Sequence, residues 1–240
     1  MKKIFNILFI AAALTITGGC KKTLDAPTQS TLDESVIFST PSLAEGAVAG
    51  IIQSFGETNS YRGRFLVFYG LNNDTEVYNS LKSIDDDKAR LSNYNTNVNN
   101  GQMNTDNNAW AKFYEGIERA NLAIRGLRTY GNIESNPQLG RILGEILTLR
   151  AVLYNDLIRG WGDVPARFEP ITSATTYLPR SDRDVIYKQL LADLEEAANL
   201  LRWPNETPTT SSVERVNKAF AKGLRARLAL AAGGYPQRLD

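Results

Sequence analysis

The sequence predicts a mostly α-helical chain, built of stacked helix hairpins and interrupted by long irregular loops. Three observations carry that expectation. Four segments repeat apolar residues at helical spacing, and three of them open on capping residues. Their starts fall near 108, 137, 184 and 212, so the within-pair offsets are 29 and 28 residues, which suits two antiparallel hairpins. Between the pairs, GWGDVPARFEPITSATTYLPR intervenes as a loop. Stacked hairpins of this size form a helical-repeat solenoid, in which each repeat buries its open face on a neighbour.

The elements follow in order. Lys2 and Lys3 precede an apolar run from Ile4 to Ile16, broken only by Asn6 and Thr15, and Gly18-Gly19 brings the chain to Cys20. A charged start, a short apolar core and small residues make an export signal over residues 1–19. The run is shorter than the ~20 residues that span a bilayer core. Small-small-Cys after such a run resembles the bacterial lipobox, with Thr17 where leucine is usual. Cys20 is then the lipidation site, held by several acyl chains where one would be marginal. A secreted protein with a chance cysteine and an uncleaved anchor are the alternatives. The single cysteine favours lipid, because no disulfide partner exists.

Residues 20–40 read as a polar tether. Thr40-Pro41 offers an N-cap with proline at N1, and Ala44, Ala47, Val48, Ile51 and Phe55 define a helix over 41–56. Residues 57–108 lack clear periodicity and are rich in asparagine, with FLVFYG at 65–70 as a short strand or extended segment. A connection of that length is functional or disordered, and its four tyrosines favour an ordered surface.

The first hairpin starts with a stripe of Trp110, Phe113, Tyr114, Ile117, Ala120, Ile124 and Leu127. Asn136-Pro137 caps its partner, lined by Leu139, Ile142, Leu143, Ile146, Leu149, Leu153 and Leu157 and ending at Gly160. Ser181 with Asp184, and Ser211 with Glu214, read as capping boxes for the second pair. The last helix is alanine-rich, stops at Gly233-Gly234, and has no following element to cover it before residue 240. That predicts a truncated domain over 41–240.

Composition narrows the chemistry. The chain has no histidine, which removes the commonest metal ligand and general base. With Cys20 committed to lipid, Cys/His zinc sites and Cys-His nucleophiles go too. Of 27 basic residues two lie in the signal, leaving 25 against 26 acidic, so no basic surface for nucleic acid is expected.

The order of landmarks resembles the SusD/RagB family of nutrient-uptake outer-membrane lipoproteins, specifically its N-terminal half. The matching stretches are WAKFYEGIERANLAI, LRAVLYNDLIRGWGDVP, YLPRSDRDVIYKQLLADLEEAANLL and NKAFAKGLRARLALAAG. The resemblance implies a scaffold of tetratricopeptide-like hairpins carrying ligand-binding loops. It also implies a lipid-anchored lid facing the cell exterior on a SusC-like TonB-dependent transporter. The ligand would be an oligosaccharide or another small nutrient, with no catalysis, metal or cofactor.

Sugar recognition needs a flat ring against a C–H face and planar polar groups for hydroxyls. In 57–108 these are Asn72, Asn73 and Asp74, Tyr78 with Asn79, and Tyr94 with Asn95. Other polar positions read as structure. WGDVP serves as a tight helix exit in which Trp161 packs and Asp163 caps local amides. Asn121 is a buried amide tying backbone together, and Asp85-Asp86-Asp87 is a solvated turn in preference to a calcium site. Glu145 and Asp156 are expected on helix surface, and Glu195 and Glu196 point to different sides, so with Asp193 they do not make a hydrolase pair. Two other functions stay open. An adaptor lipoprotein for envelope proteins would have an apolar groove and a disordered asparagine-rich region, whereas a glycan-active enzyme would place two carboxyls across a polar hollow.

Overall fold

The computed structural model describes residues 33–65, 71, 73–76, 85–104, 107–206, 214–235 and 237–238. The helices are α1 (Glu34–Ser39), α2 (Pro41–Gly56), α3 (Asp87–Ser92), α4 (Ala109–Tyr130), α5 (Pro137–Trp161), α6 (Arg183–Leu200) and α7 (Lys218–Gly233). A π-type segment, Thr58–Phe65, is kinked at Ser60, and a 3₁₀ turn spans Ser173–Thr175. Among the described residues the only β-pairing is an isolated bridge between Val164 and Ser181.

α5 is the centre. Its predicted stripe is buried, and so are Leu147, Ala151, Tyr154 and Ile158 on its other sides. A helix apolar nearly all round must be covered all round, and α5 packs against α2, α4 and α6. α6 in turn packs on α7, and α4 on α1 and α2. The repeat pattern of the sequence is therefore the pattern of the core.

Several boundaries differ from expectation, each for a local reason. Residues 34–39, read as tether, form α1, because Phe38 finds a seat on α4. A Cβ at Gly126 would lie 2.1 Å from the Phe38 ring, so only glycine leaves room for that contact. Gly126→Ala is expected to unseat α1 and to lower stability by about 1–3 kcal/mol, the usual effect of overpacking, measurable by urea denaturation.

Asn136 caps α5 as predicted, accepting from the Leu139 amide at 3.3 Å. α5 runs one residue past Gly160 to Trp161, and Gly162 ends it at φ 76°, a value that favours glycine. α6 is capped by Asp182, not Ser181, with Asp182 Oδ1 accepting from the Asp184 amide at 2.8 Å. Ser181 instead closes the preceding connection, donating its amide to the Val164 carbonyl at 3.1 Å. α7 starts at Lys218 under an Asn217 cap, and Glu214 lies in a turn ahead of it. Ser211 falls outside the described residues. The later start lets Arg215 reach Glu145 and Glu45, each at 2.7 Å.

Candidate functional site

The long connection between α5 and α6, residues 162–182, is held down by a buried polar network. Arg150 of α5 and Asp193 of α6, both buried, pair at 2.6 Å. Arg150 also donates to Asn121 Oδ1 at 2.8 Å and to the Phe168 carbonyl at 3.0 Å. Asn121 of α4 donates onward to the carbonyls of Arg167 and Glu169. Its predicted role as a backbone-tying amide holds. The Tyr154 hydroxyl accepts from the Arg167 amide at 2.6 Å and donates to the Arg167 carbonyl at 2.7 Å. Tyr114 donates to the Pro165 carbonyl at 2.8 Å. Burial drives both phenols far above their ordinary pKa, so they remain proton donors. Two helices, α4 and α5, thus fix one loop through its own backbone, and Asp193 of α6 holds Arg150 in place.

Between that loop and α4 lies a cavity of about 740 Å³. Trp110 and Tyr114 form its helix side, Pro165, Tyr177 and Pro179 its loop side, and Glu118 and Arg167 its charged groups. Tyr177 is 94% exposed. Arg167 donates to the carbonyls of Thr175 and Thr176, at 2.7 and 3.1 Å, which fixes the turn that presents Tyr177. Glu118 accepts from the Ile171 amide at 2.9 Å through Oε1, while its Oε2 is buried and has no hydrogen-bond partner.

The asparagine-rich segment is tied to the start of α4 and the end of α5. The Trp110 amide donates to the Met103 carbonyl at 3.0 Å, and the Trp161 indole donates to Asn104. Trp161 packs as expected, stacked parallel to Phe65 at 6.0 Å and edge-on to Trp110 and Phe113. Asp163 pairs with Arg183 at 3.2 Å rather than capping local amides, because the α6 terminus folds back beside it.

Asparagine abundance has a specific cause. The side-chain oxygens of Asn73, Asn93, Asn97 and Asn100 each accept from the amide two residues on. These are Asx turns, in which the side chain replaces a backbone carbonyl. Asn100 also donates to the Asp87 carbonyl, and Asp87 accepts from the Gly101 amide, both at 2.8 Å. Asp85-Asp86-Asp87 is accordingly divided: Asp85 pairs with Arg90, Asp86 caps α3, and Asp87 ties the loop.

The predicted grip residues fall in two places. Tyr94 and Asn95 share one turn, where Tyr94 adopts φ 60° and its ring is 73% exposed. Asn73 and Asp74 share another, in which Asn73 Oδ1 also accepts from the Glu76 amide. Cys20, Asn72, Tyr78, Asn79 and residues 66–70 lie outside the described residues.

The helix carboxylates are structural. Glu145 and Asp156 are buried, contrary to the expected surface position. Glu145 sits between Arg141 and Arg215, at 2.6 and 2.7 Å. Burial pushes its carboxyl above the ordinary range despite both arginines. Asp156 accepts from the Tyr61 hydroxyl at 2.6 Å. Glu195 and Glu196 diverge to Arg225 and Arg128. Among the described residues no cluster of three metal-binding side chains occurs.

Sequence reasoning missed Glu118, Arg167 and Tyr177. The available signal was the length of the 162–182 connection, since loops beyond ~12–15 residues are commonly functional.

A helical-repeat scaffold thus fixes an aromatic-lined cavity and the loop that carries Tyr177. Residues 32–230 match the SusD-like family described as starch-binding and associating with the outer membrane, and the chain belongs to that family. A SusD-like protein of Formosa agariphila is 28% identical over 202 residues, covering 82% of this chain and 38% of that protein. A SusD homologue from Bacteroides thetaiotaomicron superposes with TM-score 0.69 at 20% identity, covering 88% of this chain and 39% of its own. A SusD-like carbohydrate-binding protein from Bacteroides fragilis gives 0.66 at 18%, covering 81% and 38%. These structures share the fold. The chain spans just over a third of the length of these relatives. Among the described residues no helix is long and apolar enough to cross a membrane.

Proposed function

We propose that this chain is the capture part of a lipid-anchored SusD-like subunit that holds a glycan and passes it to a TonB-dependent outer-membrane transporter. The observation that carries the reading is the family match over residues 32–230. Cys20 is the anchor, and the family relation implies a body facing the cell exterior. The binding is non-covalent and the subunit has no chemistry of its own. Glycoside hydrolysis needs two carboxyls across the sugar, whereas among the described residues the cavity lining carries one, Glu118.

The asparagine-rich loop supports capture over the adaptor alternative. Its described part is folded by its own hydrogen bonds and holds Tyr94 in solvent. An exposed ring on a fixed loop can stack on a sugar without first being ordered. Asn73, Asp74 and Asn95, with Asn72, Tyr78 and Asn79, are the remaining candidate contacts.

A glycan array on the mature chain tests the reading. Wild type is expected to retain one class of glycan, and Tyr94→Ala to weaken it roughly three- to tenfold, the range of one aromatic contact. Incorporation of labelled palmitate into wild type, and its loss in Cys20→Ala, tests the anchor. Absence of retention on every glycan would refute capture, and an unlabelled wild type would refute the anchor.

A further inference from the structure

We propose that the cavity between α4 and the 162–182 connection is itself a sugar subsite, taking one neutral, hydroxyl-bearing ring of the captured glycan. The inference rests on the capture reading and adds a location separate from the Tyr94 loop.

Size permits it, since about 740 Å³ lies within the ~300–1,000 Å³ of ordinary ligand pockets. The lining then specifies the chemistry. Trp110, from the helix, and Tyr177, from the loop, are the aromatic lining groups that can stack on a ligand. Tyr177 is almost wholly exposed, which leaves a full ring face for a ligand to cover. The polar groups are mostly engaged: Tyr114 with the Pro165 carbonyl, and Arg167 with two carbonyls of the turn. The lining acceptor without a donor is Glu118 Oε2, a buried carboxylate oxygen. A buried acceptor left unmet is costly, so the site calls for a ligand that donates a hydrogen bond. Glu118 and Arg167 balance each other in charge, which disfavours a strongly anionic or cationic ligand. A neutral ring with donor hydroxyls and an apolar C–H face meets every one of these demands.

The site is also fixed in advance. Asn121, Arg150, Tyr154 and Tyr114 clamp residues 165–169 by their backbone. Little conformational freedom remains to be lost on binding.

Affinity electrophoresis of the full chain through gels containing soluble starch, laminarin or xylan tests the proposal. Wild type is expected to be retarded in at least one gel. In that gel Tyr177→Ala should raise the Kd roughly three- to tenfold, and Glu118→Gln by about tenfold or more. Trp203→Phe, outside the cavity, should migrate as wild type. Tyr177 is exposed, so its alanine variant keeps the fold, which circular dichroism verifies. If wild type is retarded while Tyr177→Ala and Glu118→Gln match it, the cavity is not the subsite and capture stands. If wild type is retarded by none of the three, the capture reading fails and takes the subsite with it.

Discussion

Asp193→Ala is expected to destabilise the fold by about 3–5 kcal/mol, the effect of leaving a buried charge without its partner. Arg150 would keep its guanidinium among buried groups, with Asn121 and the Phe168 carbonyl as its remaining hydrogen-bond acceptors. The Phe168 ring, 5.1 Å from the guanidinium, cannot neutralise it. A pair replacement, Arg150→Met with Asp193→Leu, should be much milder, because it removes both charges together. Urea denaturation of the three proteins gives the comparison. The single variant should also loosen residues 167–169, whereas a purely local defect in α6 would leave that loop unchanged.

Phe113→Ala is the second large effect, at about 3–5 kcal/mol for an aromatic core truncation. Phe113 is fully buried and meets Tyr61 at 5.0 Å, Phe65 at 4.8 Å and Trp161 at 5.9 Å. Its loss opens a void beneath Trp161, whose indole holds Asn104 at the base of the asparagine-rich loop. Thermal melting should report the lost stability, and a red-shifted tryptophan emission should report the loosened Trp161. A shift in melting without any change in emission would show that Trp161 does not depend on this cluster.

The parts of the fold that follow from periodicity were legible in the chain. Leu139, Ile142 and Ile146 announce the inner face of α5, and Asn136-Pro137 announces its start, because both signals are local. Caps that depend on what lies beyond the helix were not. Ser181 looks like a cap, yet it bridges to Val164 instead, and Asp182 takes the position. Arg215 delays α7 because its carboxylate partners sit on α2 and α5. The apolar stripe was equally silent on buried charge: Glu145, Arg150 and Asp193 occupy the same turns as exposed residues would, and only helix neighbours decide their burial.

The proposed binding surface was half visible for the same reason. An aromatic in a polar loop, such as Tyr94, can be picked out by composition. Asn73 is a candidate ligand group, but like Asn93, Asn97 and Asn100 it acts first as a turn former. The cavity needs Trp110 and Glu118 from one helix and Tyr177 from a loop some 60 residues away. No local pattern joins them. The network that does so runs through Asn121, Arg150 and Tyr154, none of which touches the cavity as a lining group.

Hydrogen–deuterium exchange of the chain, with and without a mixture of starch, laminarin and xylan oligosaccharides, bears most directly on the idea that a rigid helical stack presents two glycan-gripping loops. Slower exchange is expected at residues 93–104 and 165–178, with α7 unaffected. Unchanged exchange in both segments, or protection confined to α7, would contradict it.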